Sequence, residues 1–121
     1  MGIEPTDGEE DIDAAVDKVA NLRVFADAEG RMNRSLLDVG GSALVVSQFT
    51  LLGDISKGRR PSFTGAAPPE MAEPMVSRLA RALSQTGVDT KTGVFGAGME
   101  VDLVNDGPVT LVLEVRGGRV S

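Results

Sequence analysis

Between the glycine pair Gly40-Gly41 and the polar stretch Ser47-Gln48 lies Ala43-Leu44-Val45-Val46, an unbroken apolar segment that Phe49, Leu51 and Leu52 extend. A strand with one wet face alternates apolar and polar residues. A continuous run from Ser42 to Leu52 predicts instead a strand covered on both faces and central in its sheet. Two covered faces require a layered domain, and helical periods on either side supply the layers. In Asp11 to Leu22, Ile12, Ala15, Val16, Val19 and Ala20 share one helical face, with acids crowding the start. Ala72, Met75, Val76, Leu79, Ala82 and Leu83 form a second stripe. Pro69 suits a first turn and Pro74 does not suit an interior, so regular helix is expected from nearer Pro74, with Gly87 as its stop.

The remaining elements are strands. Arg23 to Ala26 is a short one, stopped by Asp27-Ala28-Glu29-Gly30, while Asn33 or Ser35 could cap a single helical turn that Gly40-Gly41 ends. Val88–Phe95, Met99–Asn105 and Val109–Val115 close the chain. Helix, strand, strand, helix and three strands make an α/β layered sandwich, a mixed sheet with two helices. At 121 residues it is one domain, 1–121, with a lead-in at 1–10 and a frayed tail at 117–121. About five strands leave the central one short of neighbours. Either the sheet pairs with another chain or an N-terminal piece is missing.

Four residue types are absent: Cys, His, Trp and Tyr. No Ser-His-Asp or Cys-His nucleophilic system can be built, no zinc site with Cys/His ligands, and no histidine base. Chemistry is left to carboxylates, hydroxyls, Lys or Arg, backbone amides or the substrate itself, with neither cofactor nor metal indicated. A net charge of −6 argues against broad nucleic-acid binding, and DNA is not expected as a partner. Narrow contact with one end of an RNA stays open, and Lys57-Gly58-Arg59-Arg60, in the irregular stretch Gly53–Pro68, is the densest positive cluster. No apolar run approaches the roughly 20 residues of a membrane span, and neither a leader nor cysteine is found, so a cytoplasmic location is expected.

Two stretches carry candidate chemistry. Ser47-Gln48-Phe49-Thr50-Leu51 ends the apolar strand, where α/β sheets commonly place ligands. Its hydroxyl and amide groups are either satisfied by a site or simply emerge into solvent. Asn105-Asp106-Gly107-Pro108-Val109-Thr110 is a corner between alternating runs, Val101 and Leu103 before it and Leu111, Leu113 and Val115 after it.

Together these stretches resemble the two signature motifs of the D-aminoacyl-tRNA deacylases, also called D-tyrosyl-tRNA deacylases. Arg60-Pro61-Ser62-Phe63, Thr92-Gly93, Phe95, Ala97 and Met99 extend the likeness, which covers Asn21 to Val115. The resemblance implies a homodimer that hydrolyses the ester between a D-amino acid, or glycine, and the terminal adenosine of tRNA. Ser47, Gln48, Phe49 and Thr50 would form the catalytic site, with backbone amides steadying the oxyanion and the ribose hydroxyl assisting water. Gly107-Pro108, cis in that family, would exclude L-side chains from the partner's pocket, with Asn105, Val109 and Thr110 beside it. Phe95, Ala97 and Met99 would hold the adenosine. Family members begin with about forty further residues, including an Arg without counterpart here, and Met1-Gly2-Ile3-Glu4 resembles the end of their last opening strand. This implies an N-terminally shortened chain. The alternatives are an inactive homologue that only binds an RNA 3′ end, a structural remnant, or an editing domain of the archaeal threonyl-tRNA synthetase type.

Overall fold

A computed structural model describes residues 1–121. Helix α1 (Glu9–Asn21) packs against α3 (Pro69–Gln85), and both cover one face of a short parallel pair, β3 (Ser42–Val45) beside β4 (Asp89–Thr92). The core lies between these layers: Ile12, Val16 and Ala20 from α1, Ala72, Val76, Leu79, Ala80 and Leu83 from α3, with Val45 and Val88 beneath. The two helical stripes therefore face each other, as their periods require. Ala15, Val19, Met75 and Ala82 lie at the rim of the stripes. Arg78 of α3 joins the helices at the surface, its guanidinium 2.8 Å from Glu9 and 3.1 Å from Asp13.

Helix α3 starts at Pro69 and runs through Pro74, earlier than the prolines predict. Pro74 is the sixth residue, so its missing N–H forfeits a single bond, to the Glu70 carbonyl in the first turn. The apolar stripe that the helix buries outweighs that loss. The ambiguous segment after Asn33 divides in two. Met32–Arg34 (β2) pairs antiparallel with Phe25–Ala26 (β1) around a turn in which the Asp27 carboxylate accepts from the N–H of Glu29 and Arg31. A single turn, α2 (Leu36–Val39), follows with Ser35 and Asp38 capping each other reciprocally and Gly40 closing it at φ 63°.

Four further expectations fail. Strand β3 ends at Val45 and is covered on one face only, Leu44 standing 64% exposed; Phe49–Leu52 curls into a 3-10 turn. No second layer exists to cover the far face. The lead-in is not idle: Met1 pairs in parallel across Ser47, its N donating to the Val46 carbonyl and its carbonyl accepting from Gln48 N (2.7 Å). Ile3 next to it is buried in the core. The tail is not frayed either. Val115–Arg116 (β5) and Arg119–Val120 (β6) form a hairpin around Gly117-Gly118, both at positive φ, a two-residue turn suited to glycine. Finally, Met99–Asn105 and most of Val109–Val115 form no ladder. Residues 100–113 are an exposed arm, because within the chain nothing lies alongside to take its backbone hydrogen bonds; the Glu114 carbonyl already accepts from Ser121 N at 2.9 Å, extending the hairpin.

Candidate active site

Where β3 runs out, the chain opens a cleft of about 610 Å³. One wall is Ser47, Gln48 and Phe49; Phe95, Gly96, Ala97 and Met99 form another; Met1–Ile3 and the approach to α3, from Ala66 to Pro69, complete it. Residues separated by half the chain meet because β3 and β4 are parallel and in register, so both strands deliver their C-terminal ends to the same edge. The Gly93 N–H continues the ladder to the Val45 carbonyl at 3.1 Å. Beyond it, a turn closed by Ala97 N on the Val94 carbonyl (3.2 Å), with Gly96 at φ 73°, sends Phe95 and Ala97 back over the cleft.

The 3-10 turn organises the first wall. Its first amides have no carbonyl behind them at the required spacing, and the N–H groups of Phe49 and Thr50 find no acceptor within the chain. Gln48 Nε2 donates to the Thr50 hydroxyl, and both side chains stay exposed. Phe49 meets Phe63 edge to face, ring centroids 5.1 Å apart at 74°, and Phe63 lines the cleft with it. No Asp, Glu, Lys or Arg side chain is among the lining residues. The cleft thus offers apolar walls, the unpaired amide of Phe49 with that of Thr50 next to it, and a few hydroxyl and amide groups. Such a site can stabilise a developing oxyanion through the backbone, and it brings no charged side chain to act as base.

Of the residues singled out in the sequence, Ser47, Gln48, Phe49, Phe95, Ala97 and Met99 line this one cleft, and Thr50 adjoins it through Gln48. Asn105, Gly107, Pro108, Val109 and Thr110 do not line it. They form the tip of the exposed arm, where Asn105 holds the corner together: its Oδ1 accepts from Val109 N (3.0 Å) and its Nδ2 donates to the Thr110 hydroxyl (2.8 Å). The Gly107-Pro108 peptide is cis, and Gly107 has φ 135°. The walls that sequence reasoning missed are Met1–Ile3 and Ala66–Pro69, joined by Ala67 N donating to the Ile3 carbonyl at 2.8 Å. For Met1–Ile3 the signals were the likeness of Met1-Gly2-Ile3-Glu4 to a strand end and Ile3 as the one large apolar residue between Gly2 and the first helix; Ala66–Pro69 gave none.

The family described as D-Tyr-tRNA(Tyr) deacylase matches residues 1–114. Curated proteins named D-aminoacyl-tRNA deacylase resemble the chain closely. That of Chloroflexus aurantiacus is 58% identical over 114 residues, covering 94% of this chain and 71% of the relative. That of Thermomicrobium roseum is 64% identical over 107 residues, covering 86% and 70%, and that of Heliobacterium modesticaldum 53% over 118, covering 98% and 79%. Among solved structures, one titled c-Myc DNA Unwinding Element Binding Protein superposes with a TM-score of 0.87 at 39% identity, covering 97% of this chain and 80% of that one.

Proposed function

The chain belongs to the D-Tyr-tRNA(Tyr) deacylase family, a hydrolase of D-aminoacyl-tRNA, and from that premise we propose that it cleaves the ester in the cleft at the end of β3. The observation that carries this assignment is the unpaired N–H of Phe49 on the wall of an apolar cleft, with the unpaired N–H of Thr50 next to it in the same turn. Water attacks the ester carbonyl carbon, and the amides take the charge that develops on its oxygen. The carbon–oxygen bond to the ribose then breaks, releasing the free amino acid and leaving the ribose oxygen protonated. With no ionisable side chain lining the cleft, the neighbouring ribose hydroxyl assists the water. Phe95, Ala97 and Met99 form an apolar wall for the terminal adenosine, with Ser47 and Gln48 opposite.

The corner at Gly107-Pro108 acts on a second copy. Asn105, Gly107, Pro108, Val109 and Thr110 stand clear of their own cleft on an arm whose Val104 and Val112 are 90% and 86% exposed. An apolar arm of this kind is a surface for a partner. In a homodimer each arm would place its Gly107-Pro108 corner at the other cleft and close it against L-side chains, so that D-amino acids and glycine are accepted. Charged tRNA as substrate and the absence of cysteine fit action in the cytoplasm.

Hydrolysis of D-tyrosyl-tRNA and L-tyrosyl-tRNA by the chain tests the proposal. Release of tyrosine from the D-ester alone is the expected result. Equal rates on both esters would refute the gate, and absence of turnover on either would refute the catalytic assignment.

A further inference from the structure

We propose that the loop bearing Lys57, Arg59 and Arg60 is a phosphate-binding finger for the RNA strand that leads into the cleft, an inference that rests on the reading above. From Ile55 to Pro69 the sequence holds no Asp or Glu, although the chain as a whole carries 18 acids against 12 bases. Lys57, Arg59 and Arg60 lie in this acid-free stretch, all exposed and none in an ion pair.

The loop is held, not loose. Its neck is closed by two hydrogen bonds between the backbones of Asp54 and Ser62, at 2.7 and 2.9 Å. The nearest acid is occupied: the Asp54 carboxylate accepts from Ser56 N at 2.9 Å. Gly58 forms the tip at φ 68° in open space. Directly past the neck stands Phe63, which lines the cleft and packs on Phe49. Arg60 is three residues from Phe63, so its Cα lies within about 11 Å of it even along a fully extended chain.

That placement fits a defined need. The cleft is lined by no charged side chain, and the Met1 amino group that borders it is engaged by the Val46 carbonyl, so it can take an adenosine and an aminoacyl ester but has no side chain to neutralise the phosphates behind them. The first turn of α1 is acidic and would repel those phosphates. The strand leaving the cleft is therefore drawn to the finger, where two guanidinium forks and an ammonium can each meet a phosphate.

The test compares two substrates, D-tyrosyl-tRNA and D-tyrosyl-adenosine, which lacks every phosphate. For the variant Lys57→Gln/Arg59→Gln/Arg60→Gln, KM for the tRNA substrate should rise about tenfold with kcat unchanged. The slope of log affinity against log salt should flatten by about two, from three contacts to a single strand. Hydrolysis of D-tyrosyl-adenosine should stay as in the parent. Arg59→Lys/Arg60→Lys should retain most of the tRNA affinity, and Lys18→Gln on α1 should leave it unaltered. An unchanged KM and salt slope in the triple variant would overturn the proposal. So would equal loss on both substrates, which would mean that the loop only shapes the cleft. Binding of uncharged tRNA under salt titration reads the same slope without turnover. Failure of the deacylase assignment would thus appear as absent hydrolysis with the slope difference intact.

Discussion

Gly53 shows how tightly a single position can hold the cleft. It ends the 3-10 turn, and its N–H closes that turn on the Thr50 carbonyl at 3.0 Å. A Cβ built on Gly53 would fall 2.9 Å from Cε1 of Phe63 and 3.0 Å from the Thr50 oxygen. Its φ of −67° is open to any residue, so space alone demands glycine here. Gly53→Ala should therefore push the Phe63 ring off Phe49 or open the turn that presents the Phe49 and Thr50 amides. The expected stability loss is about 1–3 kcal/mol, the usual range for overpacking, read by urea titration. Hydrolysis of D-tyrosyl-tRNA should fall further than the unfolded fraction explains, and unchanged kinetics would contradict this account of the wall. In the sequence Gly53 is merely the start of a glycine-rich loop; the contact with Phe63 exists only once Asp54 and Ser62 pair.

Among the elements, the C-terminal hairpin is secured by a side chain far from it. Asp11 belongs to the first turn of α1, where its Oδ2 accepts from Gly8 N at 2.8 Å, and its Oδ1 accepts from Gly118 N at 2.8 Å. Arg116 adds a contact to Glu4 at 3.3 Å. The Gly118 and Gly8 amides favour the ionised carboxylate, holding Asp11 below the ordinary value of 3.8. A depressed folded-state pKa gives stability that is complete above the ordinary value and lost as pH falls through the lower one. Asp7 runs the other way, since burial raises it from 3.8, so its ionisation opposes folding as pH climbs through the raised value. The clasp should thus loosen in acid. Asp11→Ala, which removes both acceptors, should speed amide exchange across 115–120 at neutral pH, while exchange in the middle of α3 stays slow. Protection of 115–120 equal to that of the parent would refute the clasp. The helices themselves were legible from their stripes, whereas strands of two residues leave no period to read, and Gly117-Gly118 was the only mark of the hairpin.

At the scale of the whole molecule the chain has too much surface. Its accessible area is 8737 Å², against about 6,200 Å² for a compact monomer of this mass, an excess of roughly 2,500 Å². Much of it is the arm, where Val101, Leu103, Val104, Leu111 and Val112 are all exposed. An interface of that size is typical of stable assemblies. Sedimentation should show self-association, and Val104→Ser/Val112→Ser should weaken it and lower deacylation together. A parent chain that stays monomeric up to tens of micromolar would oppose the dimer.

What the sequence determined by itself is whatever its local periods and its missing residue types govern: the two helices, their facing stripes, the corner at Asn105–Thr110, and a chemistry without histidine or cysteine. A helix is legible because each N–H bonds four residues back, inside the pattern being read. The tertiary structure alone decided where β3 stops, that Met1–Ile3 lies beside Ser47, and that Ala66–Pro69 walls the cleft. It also decided the fate of residues 100–113, whose alternation is that of a strand but which find no ladder in their own chain. A strand's bonds go to another segment, and alternation says which side chains face together without saying what lies alongside.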